Sequence, residues 1–199
     1  LSQIKVKLGD IPGALILQNE VVLAYQKTKN TLKEGQALMD LGKAHSKVRN
    51  LKEAEKAFQD CIDRAQQGKH GALEADCSSR LGSIYRDQFD YPRAKSHYEK
   101  AITLYQTLND PNEIYPTRYL GFLFESSLND YDGALALFKK AKELAEANKS
   151  GTLLPQTHLD IARVQRQQGT YESAIATALE ALALIPEGEL NLKGSTLLE

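Results

Sequence analysis

The chain repeats a pattern about every 40 residues, and this periodicity is the feature that most restricts its fold. After a turn signal, an apolar or aromatic residue is followed three positions later by alanine in five successive copies. The five pairs are Ile11 and Ala14, Leu51 and Ala54, Tyr91 and Ala94, Tyr131 and Ala134, and Tyr171 and Ala174. A fixed period of about 20 to 50 residues indicates a repeat array, in which each copy buries its apolar face against its neighbours.

Each copy carries the signature of two helices. Four positions after the alanine comes an aromatic residue in three copies, namely Phe58, Tyr98 and Phe138. Spacings of three and four place these residues on one stripe of an amphipathic helix. A helix upstream of it is marked in each full copy by a residue pair: Leu41-Gly42, Leu81-Gly82, Leu120-Gly121 and Ile161-Ala162. The pattern therefore predicts an all-α array of antiparallel helix pairs, in which small residues let neighbouring helices approach closely.

Polar residues mark the predicted helix boundaries. Side chains that accept a hydrogen bond from the first turn of a helix stand before each second helix, at Asp10, Asn50, Asp90, Asp130 and Thr170. Glu53 after Asn50 and Glu34 after Thr31 resemble capping boxes. Pro116 stands close to the start of one first helix, and we expect that helix to begin late or to kink.

The motifs of the second full copy resemble the tetratricopeptide repeat. They read Leu81-Gly82-x-x-Tyr85 and then Tyr91-x-x-Ala94-x-x-x-Tyr98-x-x-Ala101. The spacing near 40 rather than the family's 34 is similar to that of long-repeat members found in scaffolding proteins and bacterial regulators. The resemblance implies a right-handed superhelix, or α-solenoid, of antiparallel helix pairs. We expect longer helices rather than longer loops to account for the additional residues.

The resemblance covers nearly the whole chain as a single array. The predicted divisions are a half repeat over 1–26, full repeats over 31–67, 72–107, 112–148 and 152–186, and a closing segment over 187–199. Leu1 to Gly9 is expected to be the tail of a first helix. The leucines Leu190, Leu192, Leu197 and Leu198 are expected either to begin a further repeat or to fold back as a cap. Because the first residue is leucine rather than methionine, we expect the chain to be a piece of a longer protein.

Composition and motifs favour a protein without catalytic chemistry. The formal net charge of −1 gives no overall attraction to nucleic acid, and no apolar run reaches the roughly 20 residues of a membrane-spanning helix. Cys61 and Cys77 form no CxxC motif, so we expect two buried, unpaired thiols and a reducing, cytoplasmic compartment. No two histidines stand four residues apart, and no phosphate-binding loop, zinc-protease or serine-hydrolase motif occurs. We therefore predict a non-enzymatic protein with no cofactor and no metal.

The family resemblance also predicts where a partner binds. In tetratricopeptide proteins, partner contacts come mostly from the first helix of each pair, which lines the concave face. Carried over by register, the groove positions are Met39, Lys43, Lys47, Ser79, Ser83, Arg86, Arg118, Phe122, Arg163 and Arg166. Cations outnumber acids among these positions and their neighbours, which predicts a basic groove. A solvated groove wall that binds nothing is the alternative explanation of the same charges.

The predicted function is that of a protein–protein interaction module, which holds a partner peptide or protein segment in the concave groove. The alternative is a ligand- or peptide-sensing regulatory arm of a larger signalling or transcription-regulating protein of bacterial type. The expected partner is an acidic or amphipathic segment; nucleic acid and membrane are not expected, and copies are expected to associate end to end. Replacing Arg118 and Arg166 by glutamate is expected to abolish partner capture at a stability cost of roughly 0.5 kcal/mol.

Overall fold

The computed structural model describes residues 11–185, and this part of the chain is helical throughout. It contains nine α-helices, one short 3-10 helix over Pro111–Glu113, and no strand. The α-helices are α1 (Ile11–Thr28), α2 (Thr31–Lys47), α3 (Leu51–Gln67), α4 (Gly71–Asp87), α5 (Tyr91–Leu108), α6 (Ile114–Ser127), α7 (Tyr131–Ala147), α8 (Leu153–Gln167) and α9 (Tyr171–Ala183). The predicted all-α fold is confirmed. Leu1 to Gly9, Asp10, and the segment with Leu190, Leu192, Leu197 and Leu198 lie outside the described residues.

Tight turns of the same kind separate successive helices. A residue with positive φ recurs at intervals of 20 residues, at Lys29, Arg49, Lys69, Phe89, Asn109, Asn129, Lys149 and Gly169. The amide of the residue after the positive-φ position bonds back to a carbonyl of the last helical turn, as from Asp90 N to Tyr85 O at 2.8 Å. This is the Schellman arrangement, which satisfies carbonyl groups at a helix end. Because six of the nine helices have 17 residues or more on this 20-residue spacing, the longer repeat comes from longer helices, as expected.

The helix starts follow the sequence predictions only in part. The Asp90 carboxylate accepts from Arg93 N at 3.1 Å, and the Asp130 carboxylate accepts from Gly133 N at 2.8 Å, so both are N-caps as predicted. Asn50 precedes α3 without a side-chain cap. Thr170 also caps nothing, because its hydroxyl donates to the carbonyl of Gln165 at the end of α8.

The two predicted capping boxes are wrong. The side chain that caps α2 belongs to Asn30 and not to Thr31, and it accepts from Lys33 N at 3.0 Å. Glu34 reaches away from the helix start, and its carboxylate forms an ion pair with Arg64 of α3 at 2.9 Å. Glu34, which the local sequence assigned to a capping box, therefore forms a contact between two helices instead.

The third helix pair starts late, as the proline predicted. The 3-10 turn over Pro111–Glu113 occupies the place where the 20-residue spacing would begin a helix, and α6 begins only at Ile114. Pro116 lies in the first turn of α6, where a missing N–H costs little. As a result α6 has 14 residues, fewer than the helices before it.

Glycines in the first helices make room for aromatic rings from the second helices. A Cβ on Gly42 would lie 2.6 Å from the ring of Phe58, and a Cβ on Gly121 would lie 2.7 Å from the ring of Phe138. Such distances are shorter than any real carbon contact, so these positions require glycine. In the last copy the glycine is replaced by Ala162, and the aromatic residue is replaced by Ala178.

Backbone contacts divide the chain into two compact units, which meet in sequence between Asp110 and Pro111. In the first unit, α1 to α5 pack in chain order, and one core cluster joins α4 to α5. In the second unit, α6 to α9 pack in chain order around two clusters. Their buried members are Ala134, Phe138, Ile161 and Val164 in one cluster, and Ile114, Ala141 and Ala145 in the other.

The two cysteines form a disulfide, which corrects the prediction of unpaired thiols. Cys61 of α3 and Cys77 of α4 are both fully buried, and a disulfide joins them across a Cα–Cα distance of 6.3 Å. They stand eight residues on either side of Lys69, the turn residue between the two helices, so the antiparallel hairpin brings them face to face. The argument from unpaired thiols to a cytoplasmic location therefore no longer applies, and the location stays a prediction.

Candidate functional site

In the first unit, the predicted groove positions of α2 form a partly exposed, basic surface. The Lys43 ammonium group bonds to the carboxylate of Asp40, one turn earlier on the same helix, at 2.9 Å. Met39 is partly exposed and Lys47 is exposed. The charged groups of α2 thus keep contact with water, and the ion pair involves only neighbours on one helix.

Among the predicted groove positions of α4, Ser83 and Arg86 are partly exposed and Ser79 is buried. The Arg86 guanidinium bonds to the carboxylate of the adjacent Asp87 at 2.8 Å, and both side chains are about one-third exposed. Ser79 is buried, and the hydroxyl of Ser83 lies 3.0 Å from the hydroxyl of Tyr98 on α5. Burial removes Ser79 from the accessible groove positions, whereas Ser83 stays partly exposed and contacts α5 through its hydroxyl.

In the second unit, Arg118 of α6 is held by α8 and is largely buried. Its guanidinium forms an ion pair with Asp160 at 2.7 Å and donates to the side-chain oxygen of Gln156 at 3.0 Å. The side chain of Arg118 is 13% exposed and that of Asp160 is 6% exposed. Burial raises the pKa of Asp160, and the neighbouring charges of Arg118 and Arg163 oppose that effect. Arg118 is thus a link between two helices rather than a free cation.

Arg163 of α8 completes a charge network with the helix before it. Its Nε donates to Glu125 Oε1 at 2.7 Å and its Nη2 donates to Glu125 Oε2 at 2.8 Å, a two-pronged contact between α8 and α6. A further contact of 3.3 Å reaches Asp160. We call Arg118, Asp160, Arg163 and Glu125 the charge network. Two cations and two carboxylates balance in it, so its formal charge is zero.

Phe122 lies at the centre of the charge network. The guanidinium carbon of Arg118 is 5.6 Å from the ring centroid, and that of Arg163 is 5.0 Å away. The ring also meets the ring of Phe138 edge to face at a centroid distance of 5.1 Å. Phe122 therefore supports the two arginines from within, and it anchors them to the core cluster of the second unit.

In the second unit, two of the predicted groove cations, Arg118 and Arg163, are paired with the carboxylates of Asp160 and Glu125. Asp160 was not among the predicted positions, although it stands three residues before Arg163 and so shares its helix face. Counting acids at that spacing would have found it. Arg166 is the predicted cation of α8 that stays exposed.

Other kinds of site receive no support from the described part of the chain. Residues 11–185 contain no cluster of three or more histidine, cysteine, aspartate or glutamate side chains suited to a metal ion. Within the same residues, no helix combines the length and the apolar character that crossing a bilayer requires. The groove positions therefore remain the candidate site.

Sequence comparison assigns the family. The tetratricopeptide repeat profile matches residues 37–107 and 73–147, which together span more than half of the chain. The chain belongs to the tetratricopeptide repeat family. The matched range contains the glycine and aromatic positions of this chain that pack α2 on α3, α4 on α5 and α6 on α7. No curated protein sequence matches this tetratricopeptide repeat chain.

Solved structures share the tetratricopeptide repeat fold at low sequence identity. BtubC (BKLC) from P. vanneervenii is 18% identical over 96% of this chain and 78% of its own, with a TM-score of 0.84. Aspartyl phosphate phosphatase F from Bacillus subtilis is 14% identical over 92% of this chain and 48% of its own, with a TM-score of 0.84. A Rap protein in complex with competence and sporulation factor is 13% identical over 92% of this chain and 52% of its own, with a TM-score of 0.75. These matches show an α-solenoid of helix pairs.

Proposed function

We propose that this tetratricopeptide repeat chain is a protein-interaction module, and that α2 and α4 of its first unit bind an acidic segment of a partner protein. The observation that carries the proposal is the exposure of the cations Lys43, Lys47 and Arg86 and the position of their carboxylate partners. Lys47 is exposed, the Lys43 ammonium group pairs with Asp40 on the same helix, and Arg86 pairs with the adjacent Asp87, with each of these four paired side chains one-third or more exposed. Exposed pairs of this kind contribute less than about 1 kcal/mol, so a partner carboxylate displaces them at little cost.

The charge network of the second unit supports a different role. Arg118 and Arg163 already have carboxylate partners that are almost fully buried, and separating such a pair would leave an uncompensated charge. We infer that this network fixes α6 against α8. In the proposal, recognition of an acidic segment therefore belongs to the first unit.

A peptide-display experiment tests the proposal without a known partner. Random twelve-residue peptides are selected on the protein, and the selected peptides are expected to be enriched in aspartate and glutamate. Their affinity is then measured by fluorescence polarisation for the parent and for Lys43→Glu with Lys47→Glu. Charge reversal at the binding face is expected to weaken binding at least about tenfold.

A matched variant controls for the change in net charge. Lys52→Glu with Lys56→Glu reverses two exposed lysines of α3, a second helix, and is expected to bind the selected peptides like the parent. Two outcomes would contradict the proposal: selection of peptides without acidic residues, or equal affinity of the Lys43 and Lys47 variant and the parent.

A second candidate function is a peptide-sensing arm of a larger regulator. The structural match to the Rap protein supports it, because that chain was solved with competence and sporulation factor and this chain covers 52% of it. In this alternative, peptide binding changes the behaviour of a neighbouring domain. The test is to express the protein with its native flanking sequence and to compare protease cleavage of the flanks with and without a selected peptide. Unchanged cleavage at saturating peptide argues against a sensing arm.

A further inference from the structure

The second unit contains a cleft on a different side of α8 from the charge network. It has a volume of about 350 Å³ and lies between α7 and α9, with α8 as its floor. Gln165 of α8 lines it, whereas Arg163 belongs to the charge network. Positions two apart on a helix are separated by about 200°, which accounts for the two different sides. The cleft is large enough to receive a long side chain or a small ligand.

The equivalent place in the first unit is filled. Eighty residues before Gln165 stands Tyr85 of α4, and eighty before Thr177 stands His97 of α5. The rings of Tyr85 and His97 pack with centroids 5.3 Å apart, and the Tyr85 hydroxyl donates to Glu55 of α3 at 3.1 Å. Two aromatic side chains thus close the space between α3 and α5. The shorter side chains of Gln165 and Thr177 leave the cleft between α7 and α9 open.

The floor of the cleft presents a hydrogen-bond acceptor with no partner. The side-chain oxygen of Gln165 is buried and accepts no hydrogen bond. A buried acceptor without a hydrogen bond is energetically unfavourable, so a donor group that enters the cleft is stabilised when it bonds to this oxygen. Thr177 adds a hydroxyl on the wall formed by α9.

The charges around the cleft favour a cation. Three glutamates line it, Glu143 and Glu146 on α7 and Glu180 on α9, against two lysines, Lys139 and Lys142. Lys142 already lies 3.7 Å from Glu146. Glu143 lines the cleft from α7, and Glu180 lines it from α9, where its carboxylate lies 3.5 Å from the imidazole of His158.

We propose that this cleft is a binding site for a guanidinium group, as carried by an arginine side chain of a partner protein. A guanidinium has five N–H donors in a planar fork, so it can donate to the Gln165 oxygen and to the carboxylates together. The compact ammonium group of lysine has a shorter reach and three donors. The site is independent of the acidic-segment surface on α2 and α4.

The site is tested by titrating the full chain with N-acetyl-arginine amide and recording ¹⁵N–¹H spectra at each concentration. The expected result is saturable shifts of the Gln165 side-chain amide and the Thr177 backbone amide. N-acetyl-citrulline amide has nearly the same shape without the charge and is expected to bind at least about tenfold more weakly. Absence of saturable shifts with the arginine compound, or equal binding of both compounds, overturns the proposal.

Two variants separate the cleft from the rest of the surface. Gln165→Tyr with Thr177→His installs the pair that fills the first unit, and it is expected to abolish the arginine-dependent shifts. Glu180→Gln changes an exposed side chain without changing its shape, and it is expected to weaken binding about threefold to tenfold while the spectrum stays that of the folded parent. Unchanged binding in both variants places the arginine compound elsewhere and overturns the proposal.

Discussion

Arg118 shows how strongly the surroundings of one side chain determine its role. Its guanidinium lies against Asp160, Gln156 and the ring of Phe122, and only 13% of the side chain is exposed. The earlier expectation that charge reversal here costs roughly 0.5 kcal/mol assumed an exposed residue and is wrong in that premise. A position on the groove side of a first helix is therefore not by itself an accessible position.

Arg118→Glu is expected to destabilise the second unit. The substitution leaves Asp160 buried beside a second carboxylate, and the loss of one partner from a buried pair costs about 3 to 5 kcal/mol. The measurement is the free energy of unfolding from urea titration. Arg166→Glu, at an exposed position of α8, is the control and is expected to change the same quantity by less than about 1 kcal/mol. Equal stability of the two variants would show that the buried pair does not hold α6 against α8.

At the scale of the helix pair, the two helices approach closely because a glycine on the first helix leaves space for an aromatic ring on the second. Gly82 of α4 faces Tyr98 of α5, whose side chain is fully buried. A methyl group added at Gly82 would meet ring carbons at 2.9 Å and the carbonyl oxygen of Ala94 at 3.2 Å. The Tyr98 ring and the Ala94 carbonyl group both belong to α5, so relieving these short contacts requires a shift of that helix.

Gly82→Ala is therefore expected to lower the free energy of unfolding by about 1 to 3 kcal/mol, despite the higher helix propensity of alanine. Gly151→Ala is the matched control, because a Cβ there meets no atom within 4 Å. Both are compared by urea titration. If Gly82→Ala is as stable as the control, the ring of Tyr98 has an alternative position and the packing argument fails.

The disulfide acts on the pair formed by α3 and α4. It closes a loop of 16 residues, and a loop of that size contributes about 3 kcal/mol in the chain-entropy account. A reducing agent is therefore expected to lower the free energy of unfolding of the parent by about 2 to 4 kcal/mol. Cys61→Ala with Cys77→Ala should show no effect of the reducing agent. Two thiols that react in the denatured, unreduced protein would contradict the pairing.

For the molecule as a whole, the expected pH dependence comes from two partly buried histidines, His45 and His97. Burial lowers the pKa of His45, and burial together with the charges of Lys100 and Arg93 lowers the pKa of His97. Glu53 opposes the shift at His45, and Glu55 opposes it at His97. Both imidazoles therefore bind protons more readily in the unfolded chain than in the folded protein.

Stability is accordingly expected to be highest above pH of about 6.5, the unfolded pKa of histidine, and to fall as the pH decreases below it. The measurement is the Tm between pH 7.5 and pH 5. His45→Asn with His97→Asn is expected to reduce the slope over this range, whatever its effect on stability at pH 7.5. An unchanged slope in the double variant would assign the pH dependence to other groups.

The repeat pattern predicted the fold because it is carried by residues that pack locally. Alanine and aromatic residues at fixed spacing identify the second helices, and the Leu-Gly pairs identify the first helices. Each contact joins elements close in the chain, so a one-dimensional pattern contains the information needed. The late start of α6 could also be predicted, because Pro116 acts on its own helix.

The sequence by itself thus determined the helices, their order and their pairing, together with the family. Only the tertiary structure decided which groove positions stay accessible, because that depends on partners about 40 residues away. Arg118 meets Asp160, and Arg163 meets Glu125, through side-chain contacts between α6 and α8. The disulfide and the open cleft depend in the same way on side chains that face each other across neighbouring helices. The periodicity determines which helices are neighbours, but the particular side chains at each contact determine charge, burial and open space.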